Sequence, residues 1–188
     1  MATAQDSGIQ LQQGYHDKNA VSLWTRGGRK LVDAATYISS MEIMKPDVFQ
    51  LLADGDTSHE SSKKRIQKSV DATLRFAEIC TALREKSESL RETPILASVV
   101  GGFNTSERLR CAKVLQSLDV DGYVIDGFHT NGPTATDLDW EEVEPILTAT
   151  LVSQVSCPHT VVTRIKSQNS ADNLDEYFSL VTGHIGER

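Results

Sequence analysis

The apolar positions fall into alternating short runs and longer helical stripes. Val21 to Thr25 and Arg29 to Val32 read as strands around Gly27-Gly28, a hairpin pattern. Ala34 to Met44 places Tyr37, Ile38, Met41 and Met44 on one helical stripe that Pro46 ends. Asp47 to Ala53 is a strand that stops on Asp54-Gly55-Asp56. Ser58 to Lys86 then reads as one long helix, with Thr57 and Glu60 as a capping box and Ile66, Val70, Leu74, Ala77 and Leu83 inward.

The second half repeats this order. Pro94 to Val100 is an almost wholly apolar strand with a Gly101-Gly102 stop, the pattern of a strand buried on both faces. Asn104 and Glu107 cap a helix carrying Leu109, Ala112, Leu115 and Leu118. Gly122 to Ile125 is the next strand, and Asn131-Gly132-Pro133 marks a turn. Asp139 caps a helix to about Val155, with Val143, Ile146, Leu147 and Leu151 inward. A strand over Thr160 to Ile165 and a last amphipathic helix over Asp172 to Val181 complete the series.

Such βαβ alternation predicts a parallel sheet covered by helices, an α/β fold. Four units are visible, fewer than the eight of a closed (β/α) TIM-type barrel, so the expectation is an incomplete barrel spanning residues 21–188 behind an N-terminal arm, 1–20. An open doubly wound sheet is the alternative, although no strand is followed by GxGxxG. With only four units, one side of the core and the edge strands should stay exposed, so a cooperatively folding monomer is not expected.

Length and charge narrow the class. At 188 residues and 39% hydrophobic content the chain can hold one core, and a net charge of −7 argues against a protein that coats nucleic acid. Cys80, Cys111 and Cys157 are too scattered for a disulfide framework or a zinc site. The start of the chain has no secretory pattern, so a cytoplasmic protein with reduced thiols is expected and the Asn104-Thr105-Ser106 sequon is read as accidental.

Candidate chemistry collects at strand ends, where parallel β/α proteins place it. Asp54 and Asp56, Gly101-Gly102, Asp126-Gly127 with His129, and Arg164 should line one rim. Paired acids there can recognise amidine-like N–H groups or exchange protons, and glycines admit a flat ligand. Both acids can equally cap the following helix, and the glycine pairs can be ordinary turns. Lys63, Lys64, Arg65 and Lys68 form a basic patch on the outer helix face, solvated or in contact with phosphate. Trp24 and Trp140 are read as packing anchors. No nucleophilic constellation, phosphate loop or metal motif appears.

Several ordered blocks carry a resemblance: VSLWTRGGRK, KPDVFQLLADGDT, KKRIQKSVDATLRF, VVGGFNTSERLR and GYVIDGF. Over Val21 to Phe128 the chain resembles the tRNA-guanine transglycosylase (queuine tRNA-ribosyltransferase) family, and within it the eukaryotic accessory, non-catalytic branch. The resemblance implies a zinc-containing β/α barrel, zinc being expected for full-length members and no ligand of it in this chain. It also implies a heterodimer with a catalytic subunit that exchanges guanine for queuine at the wobble position of tRNAs with GUN anticodons. Peripheral association with the mitochondrial outer membrane, and a homodimer, are further expectations.

By this resemblance Asp54 matches the acid that reads the base, Gly101 and Gly102 match a glycine pair, and Gly127 matches a glycine whose backbone touches the base. Val100 stands where catalytic members have glutamine, and Asp126 replaces a glycine. The family's nucleophilic aspartate, arginine loop and cysteine-rich zinc site should follow the strand near Thr160, and Arg188 is reached without them. Asp6-Ser7-Gly8 lacks the second glycine of the family's DSGG motif and is read as chance. A non-catalytic, truncated accessory subunit is therefore expected. The alternatives are an active transglycosylase, or a queuine-binding domain without tRNA activity.

Overall fold

The computed structural model describes residues 1–4, 17, 19–128, 139–154, 160–163, 165–166 and 177–178. The hairpin forms as expected from β1 (Val21–Thr25) and β2 (Gly28–Val32), closed by a two-residue turn, with Val21 opposite Val32 and Thr25 opposite Gly28. Helix α1 (Ala34–Met44) starts on the Asp33 carboxylate, which accepts from Thr36 N at 2.8 Å, and ends where Lys45 turns left-handed. Tyr37, Ile38 and Met41 are buried, whereas Met44, on the same stripe but the last residue of the helix, is exposed.

The central sheet is parallel, in the order β3 (Phe49–Gln50), β4 (Ile95–Val99), β5 (Gly122–Ile125), β6 (Thr160–Thr163). Strand order follows chain order without the reversal that defines a doubly wound sheet. The connecting helices, α2 (Lys63–Lys86), α3 (Thr105–Leu115) and α4 (Trp140–Gln154), pack in sequence, α1 on α2, α2 on α3 and α3 on α4. Right-handed crossovers between consecutive strands produce such a layer. Every residue of β4 and β5 is buried, and Phe49, Ala97, Val99, Tyr123 and Ile125 join the same core as Val70, Ala77, Ala112 and Leu115.

Four expectations change. Helix α2 begins at Lys63 rather than Ser58, because Ser62 is the N-cap, its hydroxyl accepting from Arg65 N at 3.2 Å. Residues 51–62 are a long loop, so Thr57 and Glu60 are no capping box. In α3 the inward position belongs to Arg108, while Leu109 is half-buried. Within the span expected as a last helix, Tyr177–Phe178 forms β8, antiparallel to β7 (Ile165–Lys166), with the rest of that span outside the described residues. Of the N-terminal arm, Ala2 lies parallel to Phe49 and adds to the sheet edge through Ala2 N to Val48 O and Gln50 N to Ala2 O, each 2.9 Å. No helix among the described residues is long and apolar enough to cross a membrane.

Candidate base-binding rim

Three of the expected strand ends meet at one rim; His129 and Arg164 lie outside the described residues. The loop after β3 holds Asp54, Gly55, Asp56 and Thr57, the loop after β4 holds Gly101 and Gly102, and the loop after β5 holds Asp126 and Gly127. Contacts between loops far apart in sequence hold them together. Thr57, fully buried, donates through Oγ1 to Gly127 O at 2.6 Å. Gly55 lies so close to Asp126 that a Cβ there would be 2.7 Å from Oδ2, so a larger residue would have to push the Asp126 carboxylate aside.

Asp54 is buried and held on all sides. Arg65 donates Nη1 to Oδ2 at 2.8 Å and Nη2 to Oδ1 at 2.6 Å, and Nη2 also reaches Asp56 O at 2.9 Å. The backbone is tied too, Asp54 N donating to Thr73 Oγ1 at 3.0 Å and Asp54 O accepting from Ser69 Oγ. Burial works against the charge of Arg65, but the hydrogen bond and charge of Asp54, with Asp56 behind it, outweigh burial and hold the guanidinium above its ordinary value. Arg65 is therefore no part of an outward basic patch. Lys63, Lys64 and Lys68 alone are exposed there. Helical phase separates Arg65 from Lys64 and Lys68: Arg65 lies four residues before buried Ser69 and eight before buried Thr73, on the inward stripe, whereas Lys63 is exposed as the first residue of the helix.

Arg108 anchors the second loop. Its guanidinium, fully buried, donates Nε to Gly102 O at 2.6 Å and Nη1 to Val99 O at 3.1 Å, and its Cζ sits 3.6 Å from the centroid of the Phe128 ring. Burial pushes it down to about 9 against the pull of Asp126, so it stays charged at neutral pH. Gly101, at φ +146°, makes room for it, since a Cβ would stand 2.7 Å from Arg108 Cγ. Phe103 packs edge-on to Phe128 at 5.3 Å, and His59 packs on Phe103 at 5.1 Å. His59 Nε2 lies 2.9 Å from Glu142 Oε1, which joins the first loop to the start of α4.

Polar atoms at each of the expected base-pocket positions thus have internal partners: Asp54 has Arg65, Gly101 O accepts from Asn104 N, Gly102 O from Arg108, Gly127 O from Thr57, and Gly127 N donates to Asp126 Oδ1 at 2.7 Å. Val100 is fully buried and apolar, offering a purine edge nothing. Thr57 and Arg108 are the rim residues that sequence reasoning missed. For Arg108 a signal existed: it lies three and seven residues before buried Cys111 and Leu115, a charge on an apolar stripe. For Thr57 none existed, because its partner is 70 residues away.

A family model described as Queuine tRNA-ribosyltransferase matches residues 3–162. Similar curated proteins are named Queuine tRNA-ribosyltransferase accessory subunit 2. That of Ixodes scapularis is 40% identical over 143 residues, 76% of this chain and 36% of the relative. The Aedes aegypti protein is 39% identical over 150 residues, 79% and 36% respectively. The Drosophila virilis protein is 41% identical over 137 residues, 71% and 33%. The chain spans about a third of the length of these relatives.

Proposed function

The chain belongs to the queuine tRNA-ribosyltransferase family, and from that membership we propose that it acts as a non-catalytic accessory subunit. It pairs with a catalytic queuine tRNA-ribosyltransferase subunit, and that partner carries out the exchange of guanine for queuine at the wobble position of tRNAs with GUN anticodons. The observation that carries the non-catalytic reading is the state of Asp54, whose two carboxylate oxygens both accept from Arg65. An acid so engaged has its two-oxygen edge taken, the edge that would pair with a base. Val100 in place of a hydrogen-bonding side chain supports the same reading.

The consecutive strand order and stacked helices support a segment of a (β/α) barrel. Lys63, Lys64 and Lys68 are proposed as contacts to tRNA phosphate within the complex, which predicts weaker tRNA binding as salt rises. Zinc has no fit in what is described: among the described residues no three His, Cys, Asp or Glu stand together, and none is assigned to it. The complex is assigned to the cytoplasm, with peripheral attachment to the mitochondrial outer membrane, which cell fractionation tests.

The deciding experiment follows labelled guanine in tRNA with this chain alone, the catalytic subunit alone, and both together. No exchange by the chain alone, and copurification with the catalytic subunit, are expected. Turnover by the chain alone would overturn the non-catalytic reading. Self-association without the catalytic subunit would replace the heterodimer by a homodimer.

A further inference from the structure

The Asp54–Arg65 pair has the geometry of a bound ligand. Each carboxylate oxygen accepts one N–H, and the two donor nitrogens are joined through one carbon. A ring N–H beside an exocyclic amino group presents the same N–C–N edge, as in an amidine, a 2-aminobenzimidazole or a guanine-type base. Asp54 does not depend on Arg65 for its position. Thr73 and Ser69 fix its backbone on both sides. The two partners differ in access, since the Arg65 side chain is 26% exposed and that of Asp54 only 5%. Arg65 covers the carboxylate from outside and stands on the first turn of α2, where one side chain can swing without moving the sheet.

We propose that Arg65 is an internal stand-in for a ligand: its guanidinium occupies the face of Asp54 that a planar N–C–N donor edge would take, and the rim admits such a ligand only when Arg65 is displaced. The proposal rests on Asp54 as the base-reading acid of the reading above. It adds that the acid is intact and that Arg65 covers it through a reversible side-chain contact. The extra bond from Arg65 Nη2 to Asp56 O biases the arginine toward the covering position.

The test titrates the full chain with 2-aminobenzimidazole, which carries the N–C–N edge, and with benzimidazole, which lacks the amino group, following binding by calorimetry or ligand-observed NMR. Arg65→Ala should bind 2-aminobenzimidazole roughly 10- to 100-fold more tightly than the unaltered chain, the weight of one charge-assisted hydrogen bond. Benzimidazole should not share the gain, and adding Asp54→Asn to Arg65→Ala should abolish it. Equal binding by the unaltered chain and a folded Arg65→Ala would overturn the proposal. So would a gain that survives loss of the Asp54 carboxylate. If Arg65→Ala does not fold, Arg65→Lys keeps the cation with a single donor nitrogen. Its melting temperature should then rise with 2-aminobenzimidazole more than that of the unaltered chain, and equal rises refute the idea. Copurification with the catalytic subunit is measured separately, so a failed accessory reading and a failed stand-in give different results.

Discussion

Thr57→Val is the sharpest probe of how the rim is held. The substitution keeps the branched shape and removes one hydroxyl, which donates to Gly127 O at 2.6 Å from a fully buried position. Losing that donor leaves a buried carbonyl without it, a cost of about 1–3 kcal/mol. Because the bond joins the loop after β3 to the loop after β5, the cost should appear as easier local opening of both. Amide hydrogen exchange by mass spectrometry reads this directly. Peptides covering residues 55–58 and 126–128 should exchange roughly 5- to 100-fold faster in Thr57→Val, the same energy expressed as an opening equilibrium. Thr57→Ser, which keeps the hydroxyl and loses one methyl, should stay within about 1 kcal/mol of the unaltered chain. Were Thr57 a helix cap, the change would instead be confined to the residues just after it. Unchanged exchange at 126–128, or identical behaviour of the valine and serine variants, would refute the tether.

Three further outcomes are expected. Gly55→Ala places a Cβ 2.7 Å from Asp126 Oδ2 and should cost about 1–3 kcal/mol in urea denaturation, a loss that largely disappears in an Asp126→Gly background because the two changes share one contact. Ser62→Ala should destabilise by about 1 kcal/mol through loss of the α2 cap, whereas Glu60→Ala should stay within about 0.5 kcal/mol; the reverse order would restore a helix start at Ser58. Burial pushes the Cys80 thiol up to about 12 and the Cys111 thiol up to about 11. An unfolded thiol ionises near ~8.5, so above that pH the folded state binds more protons than the unfolded one. Stability should therefore fall as pH rises from about 9 toward 11, and the fall should flatten in a Cys80→Ala, Cys111→Ala double variant; a rise in the urea midpoint over that window would contradict the burial of the thiols.

Much of the architecture was legible because its determinants are local. Apolar runs with glycine stops marked β4 and β5, where every residue is buried. The caps at Asn104 and Asp139 lie within three residues of the amides they serve, so spacing alone identified them. The α2 start was misread because Thr57 and Glu60 satisfy the same local rule as Ser62, and only the tether to Gly127 removes Thr57 from the helix.

By itself, then, the sequence determined the βαβ order, the buried strands and the family, all of which rest on neighbours in the chain or on ordered blocks of residues. The tertiary structure alone decided what the acids and cations at the rim do. Asp54 was legible as an acid at a strand end, but its guanidinium partner arrives from the first turn of the next helix, across a loop whose course no periodicity encodes. Arg65 and Lys64 look alike in a basic run, yet helical phase turns one inward and leaves the other in water. The physical reason is the same at each point: hydrogen-bond pairing at the rim depends on where separate strands end in space, and those positions are set by sheet register rather than by any stretch of sequence.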